Sequence, residues 1–249
     1  MFGSLSFEKS FGREAFFVFR IKIADVVVEI DNIYSHVQDY CREWLTDETP
    51  DLRIKVGASE LDSYVKNCGY DVIPAQAERI LMCRKLAQGM IRHGGFLLHG
   101  AVVELDGCGI IFSGKRGIGK TTHVSLWREV FGERMRIING DKPIIMHRDG
   151  RFIAHGTPWR GKENLGDRSS VEVKKLCFIK RGDTPSVRKI CTKEAWTRMS
   201  RQTVYPDTPD LYEAFAREVA LFLKSVDVYV ITVSRKRESA VVVKQGILN

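Results

Sequence analysis

The clearest chemistry in this chain lies in Gly114-Lys115-Arg116-Gly117-Ile118-Gly119-Lys120-Thr121, followed by Thr122. The spacing G-x-x-x-x-G-K-[ST] is that of a phosphate-binding loop. Glycines let the backbone turn tightly and bring N–H groups to phosphate oxygens with no side chain in the way. The helix that follows aims its partly positive N-terminus at the same place. Lys120 adds a full charge on the outer phosphates, and the Thr121 hydroxyl suits Mg²⁺, which takes oxygen ligands. Asp141, 21 residues beyond Lys120, ends the strand after the loop helix. A carboxylate there holds Mg²⁺ or accepts a proton from an attacking hydroxyl. His99 falls in the strand that leads toward the loop. Arg160 and Lys162 flank Gly161 beside Trp159, in a polar loop whose cations suit a phosphate or a carboxylate. His123, His147 and His155 have no partner at a suggestive spacing and read as surface residues.

These residues need a scaffold. Cys108 to Phe112 reads as a buried strand entering the loop, and Thr122 to Phe131 as the helix leaving it, with Val124, Leu126, Trp127 and Val130 apolar. Phe96 to Leu105 reads as one strand. Asp106-Gly107 is a two-residue hairpin signal. The loop is therefore fed by an antiparallel hairpin, unlike the parallel array of the common doubly wound sheet. Met135 to Ile138 leads to Asp141. Pro143 to Met146 and Arg151 to Ala154 pair across a turn at His147 to Gly150. Val171 to Ile179 is a strand, Thr192 to Ser200 and Asp210 to Ser225 are helices, and Val228 to Val233 and Ala240 to Val243 are closing strands.

The front of the chain predicts strands within residues 14–30, a helix capped by Asp31 and running to Leu45, a strand at Leu52 to Val56 and a helix from Ala58 to Gly69. Pro74 to Gly94 is the cleanest helix signal, with Pro74 in its first turn and Gly94-Gly95 at its end. A boundary near residue 85 divides a small N-terminal α+β subdomain, 1–85, from a nucleotide domain, 86–249.

Composition fits an ordinary globular chain: 249 residues, 44% hydrophobic, 28% charged, net charge +8. The longest apolar runs, Ala15 to Phe19 and Val219 to Leu223, are too short to span a bilayer, and Phe7-Glu8-Lys9-Ser10 interrupts any signal-peptide pattern. The six cysteines have neither C-x-x-C nor metal-ligand spacing and read as reduced thiols of a cytoplasmic protein. The basic clusters Lys174-Lys175, Lys180-Arg181 and Arg235-Lys236-Arg237 are short and lack interleaved aromatics. The charge is therefore assigned to binding polyanionic nucleotides, with no nucleic acid and no membrane as partner.

His99-Gly100-Ala101-Val102-Val103, the Asp106-Gly107 turn, Ile110 to Gly114, Gly117 to Thr121 and the strand ending in Asp141 together resemble the catalytic domain of HPr kinase/phosphorylase. The chain is more closely similar to the smaller HPr-kinase-like proteins of bacteria, in Asn139-Gly140-Asp141-Lys142 and Gly156 to Glu163 as well. The resemblance covers roughly residues 80 to 245. It implies an α/β fold of α+β character, a phosphoenolpyruvate-carboxykinase-like P-loop domain with a mixed, largely antiparallel sheet. It implies a kinase that uses Mg·ATP, or ADP or GTP, on a hydroxyl acceptor such as a serine in a small molecule, peptide or protein. Lys120 then holds nucleotide phosphates, Thr121 binds Mg²⁺, His99 is a site residue, and Asp141 is base and metal ligand. Trp159, Arg160 and Lys162 are assigned to the acceptor. The family forms oligomers, which implies a homo-oligomer.

HPr kinase has two consecutive Asp where this chain has Gly140-Asp141, and its HPr-docking segment is not recognisable here. A non-catalytic nucleotide sensor or partner-binding module is the rival reading. Carboxykinase chemistry is a third, but it needs a transition-metal ligand set that the sequence does not supply.

Overall fold

A computed structural model describes residues 17–248. The expected strand residues 14–16 and the Phe7-Glu8-Lys9-Ser10 stretch lie outside them. Among the described residues the elements run β1 (Phe17–Ile23), β2 (Val26–Asn32), α1 (His36–Cys41), β3 (Leu52–Lys55), α2 (Ala58–Asn67) and α3 (Pro74–Ile91). Next come β4 (Gly95–Leu97), β5 (Gly100–Leu105), β6 (Cys108–Ser113), α4 (Lys120–Phe131), β7 (Met135–Asn139), β8 (Ile144–Arg148) and β9 (Arg151–His155). The chain closes with β10 (Ser170–Arg181), β11 (Ser186–Lys189), α5 (Thr192–Met199), α6 (Pro209–Ser225), β12 (Asp227–Val233) and α7 (Glu238–Leu248).

The fold is mixed α/β. A three-stranded sheet, β1-β2-β3, stands beside a nine-stranded mixed sheet. Six of the larger sheet's eight strand pairings are antiparallel; β10 runs parallel to both β6 and β12. The twelve-residue β10 is the hinge of this arrangement. Its first residues pair antiparallel with β9, and its later ones lie between β6 and β12. The carboxyl ends of β6, β10 and β12 thus meet at one edge, where α/β sheets open their ligand crevices.

α3 is buried on more than one face. Ala77, Leu81, Met82, Cys83, Leu86 and Met90 pack with β1–β3, α1 and α2 into one core that also takes in Leu97, Ile144 and Met146 of the larger sheet and Trp159 of the loop after β9. The helix has no narrow apolar stripe because apolar neighbours flank it on both sides. Its one buried carboxylate, Glu78, accepts backbone N–H groups of Ile33 and Tyr34, the latter at 3.0 Å, and so satisfies the end of β2.

Several expectations need correction. Ala240 to Val243 is helical, within α7. Three consecutive valines favour a strand, but Ala240, Val243 and Ile247 are the buried set, with helical spacing, against α4 and β11. Asp31 does not cap a helix. β2 runs on to Asn32, and α1 starts at His36 after Ser35. The stretch from Phe96 to Leu105 is two strands, β4 paired with β8 and β5 paired with β6, broken at Leu98-His99. The loop helix starts two residues earlier than Thr122, at Lys120. β11 went unforeseen; its Ser-Val-Arg-Lys carries little apolar signal. The cysteines are unpaired, with Cys191 exposed. No helix among the described residues is long and apolar enough to cross a membrane.

Candidate active site

Strand order decides where the chemistry-bearing residues meet. β7, which delivers Asp141, is not adjacent to the loop strand β6; the antiparallel β5 lies between them. Register places the first residue of β5, Gly100, opposite Ser113, the last residue of β6, while Val102 pairs with Asn139, the last residue of β7. His99, just before β5, therefore arrives between the phosphate loop and Asp141. Two hydrogen bonds hold it there. Ser113 Oγ donates to His99 O at 2.8 Å, and Gly100 N donates to Asp141 O at 2.8 Å.

The loop itself is wound as its glycines require. Gly114, Gly117 and Gly119 have φ of 148°, 77° and 110°, a region that side-chain-bearing residues rarely occupy. Lys115, Arg116 and Gly117 are exposed, Ile118 and Gly119 half-buried. Arg181, at the end of β10, braces the loop from outside, its Nε donating to Ile118 O at 2.9 Å and its Nη2 to Gly117 O at 2.5 Å. Lys120 folds back under the loop. Only 8% exposed, it donates from Nζ to Gly114 O at 2.9 Å and lies 3.0 Å from His99 Nε2. Burial draws its pKa down to about 8, with Asp141 pulling the other way. Thr121 is half-buried and Thr122 exposed at the N-terminus of α4.

On the far side of His99, Asp141 Oδ1 lies 3.1 Å from the same Nε2, and Lys142 Nζ donates to Oδ2. Burial raises the Asp141 pKa, but the His99 hydrogen bond and the Lys142 charge outweigh it and bring the value to about 2. One ring nitrogen thus faces an ammonium and a carboxylate. It accepts from Lys120 as a neutral ring or donates to Asp141, not both at once. Lys120, His99 and Asp141 thus form one contiguous polar cluster inside the cleft.

The Asp141 turn is built by Asn139, which is fully buried. Asn139 Oδ1 accepts Asp141 N at 2.9 Å and Lys142 N at 2.8 Å, and its Nδ2 donates to Thr157 O at 3.1 Å. Gly140 completes the turn under the Trp159 loop. A Cβ at 140 would stand 2.6 Å from Arg160 O and 3.2 Å from Leu165 Cβ. Position 140 has no room for a side chain without a shift of its neighbours. Gly140→Ala is expected to cost about 1–3 kcal/mol, the usual penalty of overpacking, read as a lowered denaturation midpoint with an unchanged slope. An unaltered midpoint would contradict this packing.

Trp159 and Arg160 are both buried. Trp159 Nε1 donates to Arg79 O at 3.1 Å, and Trp159 O accepts Lys142 N at 3.1 Å. Arg160 pairs with Glu43 at 2.8 Å, donates to Gly166 O and covers the Trp44 ring. Lys162 is exposed at the rim. The three histidines expected at the surface are not exposed. His123 is buried under the loop helix, where Trp127 Nε1 donates to its Nε2 at 2.9 Å and burial lowers its pKa to about 4. His147 stacks on Phe152 with Nδ1 2.8 Å from Glu218, and burial likewise takes His155 to about 4.

A cleft of about 1110 Å³ joins these parts. The loop, His99, the Asp141 turn, Tyr40 of α1, Arg79, Cys83 and Arg84 of α3 and the Trp159 loop all line it. Ten lysines and arginines against four carboxylates give it a positive field, suited to a polyanion. A second groove of about 660 Å³ adjoins the other flank of the loop, with Gly119, Thr122, Arg181, Asp183 and Arg235 around it, at the carboxyl ends of β10 and β12. Among the described residues no group of three or more His, Cys, Asp and Glu side chains is placed to hold a metal ion by itself. Sequence reading missed Asn139, Lys142 and Arg181 as parts of the site. Asn139 and Lys142 stood in the quoted motif without a role, and Arg181 stood only in a short basic cluster. Nothing in the sequence pointed to Tyr40 or Arg79.

Neither a family model nor a curated protein matches this chain. Among solved structures, the Hpr(Ser) kinase/phosphatase from Coxiella burnetii is similar over 61% of this chain and 96% of that one, with a TM-score of 0.36 and 11% sequence identity.

Proposed function

We propose that this chain is a nucleotide-dependent phosphotransferase, a P-loop kinase of the phosphoenolpyruvate-carboxykinase-like, HPr-kinase-like type, acting on a hydroxyl acceptor. The observation that carries this reading is the convergence of Lys120 and Asp141 on His99 Nε2, at 3.0 and 3.1 Å, beneath a glycine-wound phosphate loop. A loop that only bound phosphate would need no carboxylate so near its lysine.

The triphosphate lies along Gly114 to Thr122, with the nucleoside toward the groove at Arg181 and Asp183. Lys120 exchanges its Gly114 carbonyl for phosphate oxygens. Thr121 and Asp141 have the oxygen chemistry that Mg²⁺ prefers, and one carboxylate suffices when phosphates supply further ligands. Bound there, the ion would neutralise charge on the phosphates. Asp141, ionised at neutral pH, accepts a hydrogen bond from the acceptor hydroxyl. The acceptor oxygen attacks the γ-phosphorus, its proton passes to Asp141, and the bond to the β–γ bridging oxygen breaks. ADP leaves with that electron pair, and a phosphate monoester forms. A loose transition state asks little of a base, so a weakly basic, well-placed carboxylate is adequate.

A second reading, a nucleotide sensor without transfer, is favoured by the steric closure at Gly140. Calorimetric titration with Mg·ATP, followed by a screen of hydroxyl acceptors for ADP formation, separates the two. Saturable binding with acceptor-dependent ADP release supports the kinase. Binding without turnover on any acceptor supports the sensor.

A further inference from the structure

Arg79 lines the same cleft as the phosphate loop and is tied to the transfer site by two hydrogen bonds. Its carbonyl accepts Trp159 Nε1 at 3.1 Å, and the Trp159 carbonyl accepts Lys142 N at 3.1 Å, beside Asp141. Its guanidinium lies over the Tyr40 ring, 4.4 Å from the centroid, and Tyr40 meets Trp159 edge-on at 6.1 Å. This fixes the orientation of a planar donor fork. The side chain is half-buried, yet among the described residues it has no carboxylate within 4.0 Å. Arg160, nearby, shows the contrast: its charge is met by Glu43. Tyr40 and Cys83 both feel the Asp141 charge, and Cys83 feels Lys142 and Arg79 as well, so this wall and the transfer site share one electrostatic environment.

A half-buried, oriented guanidinium that meets no carboxylate among the described residues and lines a ligand cleft is suited to receive an oxyanion. The nucleotide phosphates are already served by the loop amides, Lys120 and Arg116. We propose that Arg79, stacked on Tyr40, docks an oxyanion carried by the phosphate acceptor itself, so that the acceptor is a compact hydroxyl compound bearing a carboxylate or a phosphate. This rests on the phosphotransferase reading and assigns a substrate-positioning role to the wall built by α1 and α3. Arg79 grips the anionic end while Asp141 takes the hydroxyl end. Carboxylate and phosphate share the bidentate chemistry that the guanidinium reads.

The test uses the full chain saturated with Mg²⁺ and a non-hydrolysable ATP analogue, titrated calorimetrically with D-glycerate, glycerol 3-phosphate and glycerol. At least one of the two anions is expected to bind, glycerol is not, and whichever anion binds identifies the group. Arg79→Gln is expected to weaken that binding about 10- to 100-fold while leaving the affinity for the analogue within about twofold, and Arg79→Lys is expected to restore it only in part. Glycerol binding as well as the anions, none of the three binding, or Arg79→Gln retaining the anion would each overturn the inference and leave the loop assignment standing. Failure of the analogue to bind would remove the phosphotransferase reading first, and this inference with it.

Discussion

Asp141→Asn is expected to bind Mg·ATP within a few-fold of wild type and to lose phosphoryl transfer by about 10²–10⁴-fold, the usual worth of a positioned acid–base group. The substitution keeps size and leaves the turn intact, because Asn139 bonds to the Asp141 and Lys142 backbone rather than to the carboxylate. It removes the negative charge that faces His99 Nε2 at 3.1 Å and pairs with Lys142. With a neutral amide at 141, neither the acceptor hydroxyl nor His99 has an anion to donate to. Initial rates of ADP formation measure the loss, and an equilibrium titration of nucleotide measures the retention. If the titration instead showed binding lost with transfer, Asp141 would belong to the nucleotide site alone.

Lys120→Ala is expected to weaken nucleotide binding by about 10²-fold or more, since it deletes a charge-assisted contact to the outer phosphates. The intact side chain also gives the binding a distinctive pH dependence. Lys120 titrates near 8 without nucleotide because burial disfavours its charge. A bound polyanion favours that charge, so nucleotide binding takes up a proton above about pH 8, and affinity falls by up to about tenfold per pH unit through the window from 8 toward the ordinary lysine value. The sign for stability is opposite. The unfolded chain, with Lys120 near 10.4, binds the proton more readily than the folded one. The penalty for holding it charged is therefore present below pH 8 and relieved as pH rises from 8 toward 10.4. Calorimetry in buffers of different ionisation enthalpy reads the proton uptake directly. Lys120→Ala should bind weakly with no proton uptake in that window. Wild-type affinity that stays flat from pH 7 to 10 would contradict the buried, charge-starved lysine.

What the sequence made legible was local. The loop, its strand and its helix are written in contiguous residues, and so is the Asp106-Gly107 hairpin that makes β5 and β6 antiparallel. His99 and Asp141 stood out by type and position, but how they meet did not. Their meeting depends on β5 lying between β6 and β7, a fact of strand order that no single stretch encodes. The break at Leu98-His99 was hidden because both flanking strands are apolar and buried. α7 was misread because a valine run carries strand propensity, while its helical burial depends on partners from elsewhere in the chain, α4 and β11. Gly140 looked like a lost functional residue. Its reason is packing: Arg160 O and Leu165 occupy the space that a side chain would need. The front of the chain looked chemically silent because Tyr40 and Arg79 are far apart in sequence and gain meaning only when stacked in the cleft wall.

The most direct test of the central claim follows the γ-phosphate itself. The full chain is incubated with Mg²⁺ and ATP labelled on the γ-phosphorus, together with a panel of hydroxyl compounds, and label is followed out of ATP into phosphate monoesters. The account predicts acceptor-dependent transfer by wild type, abolished in Lys120→Ala through lost binding and in Asp141→Asn despite retained binding. Equal transfer by wild type and Asp141→Asn, or saturable ATP binding with label never leaving ATP on any acceptor, would contradict it.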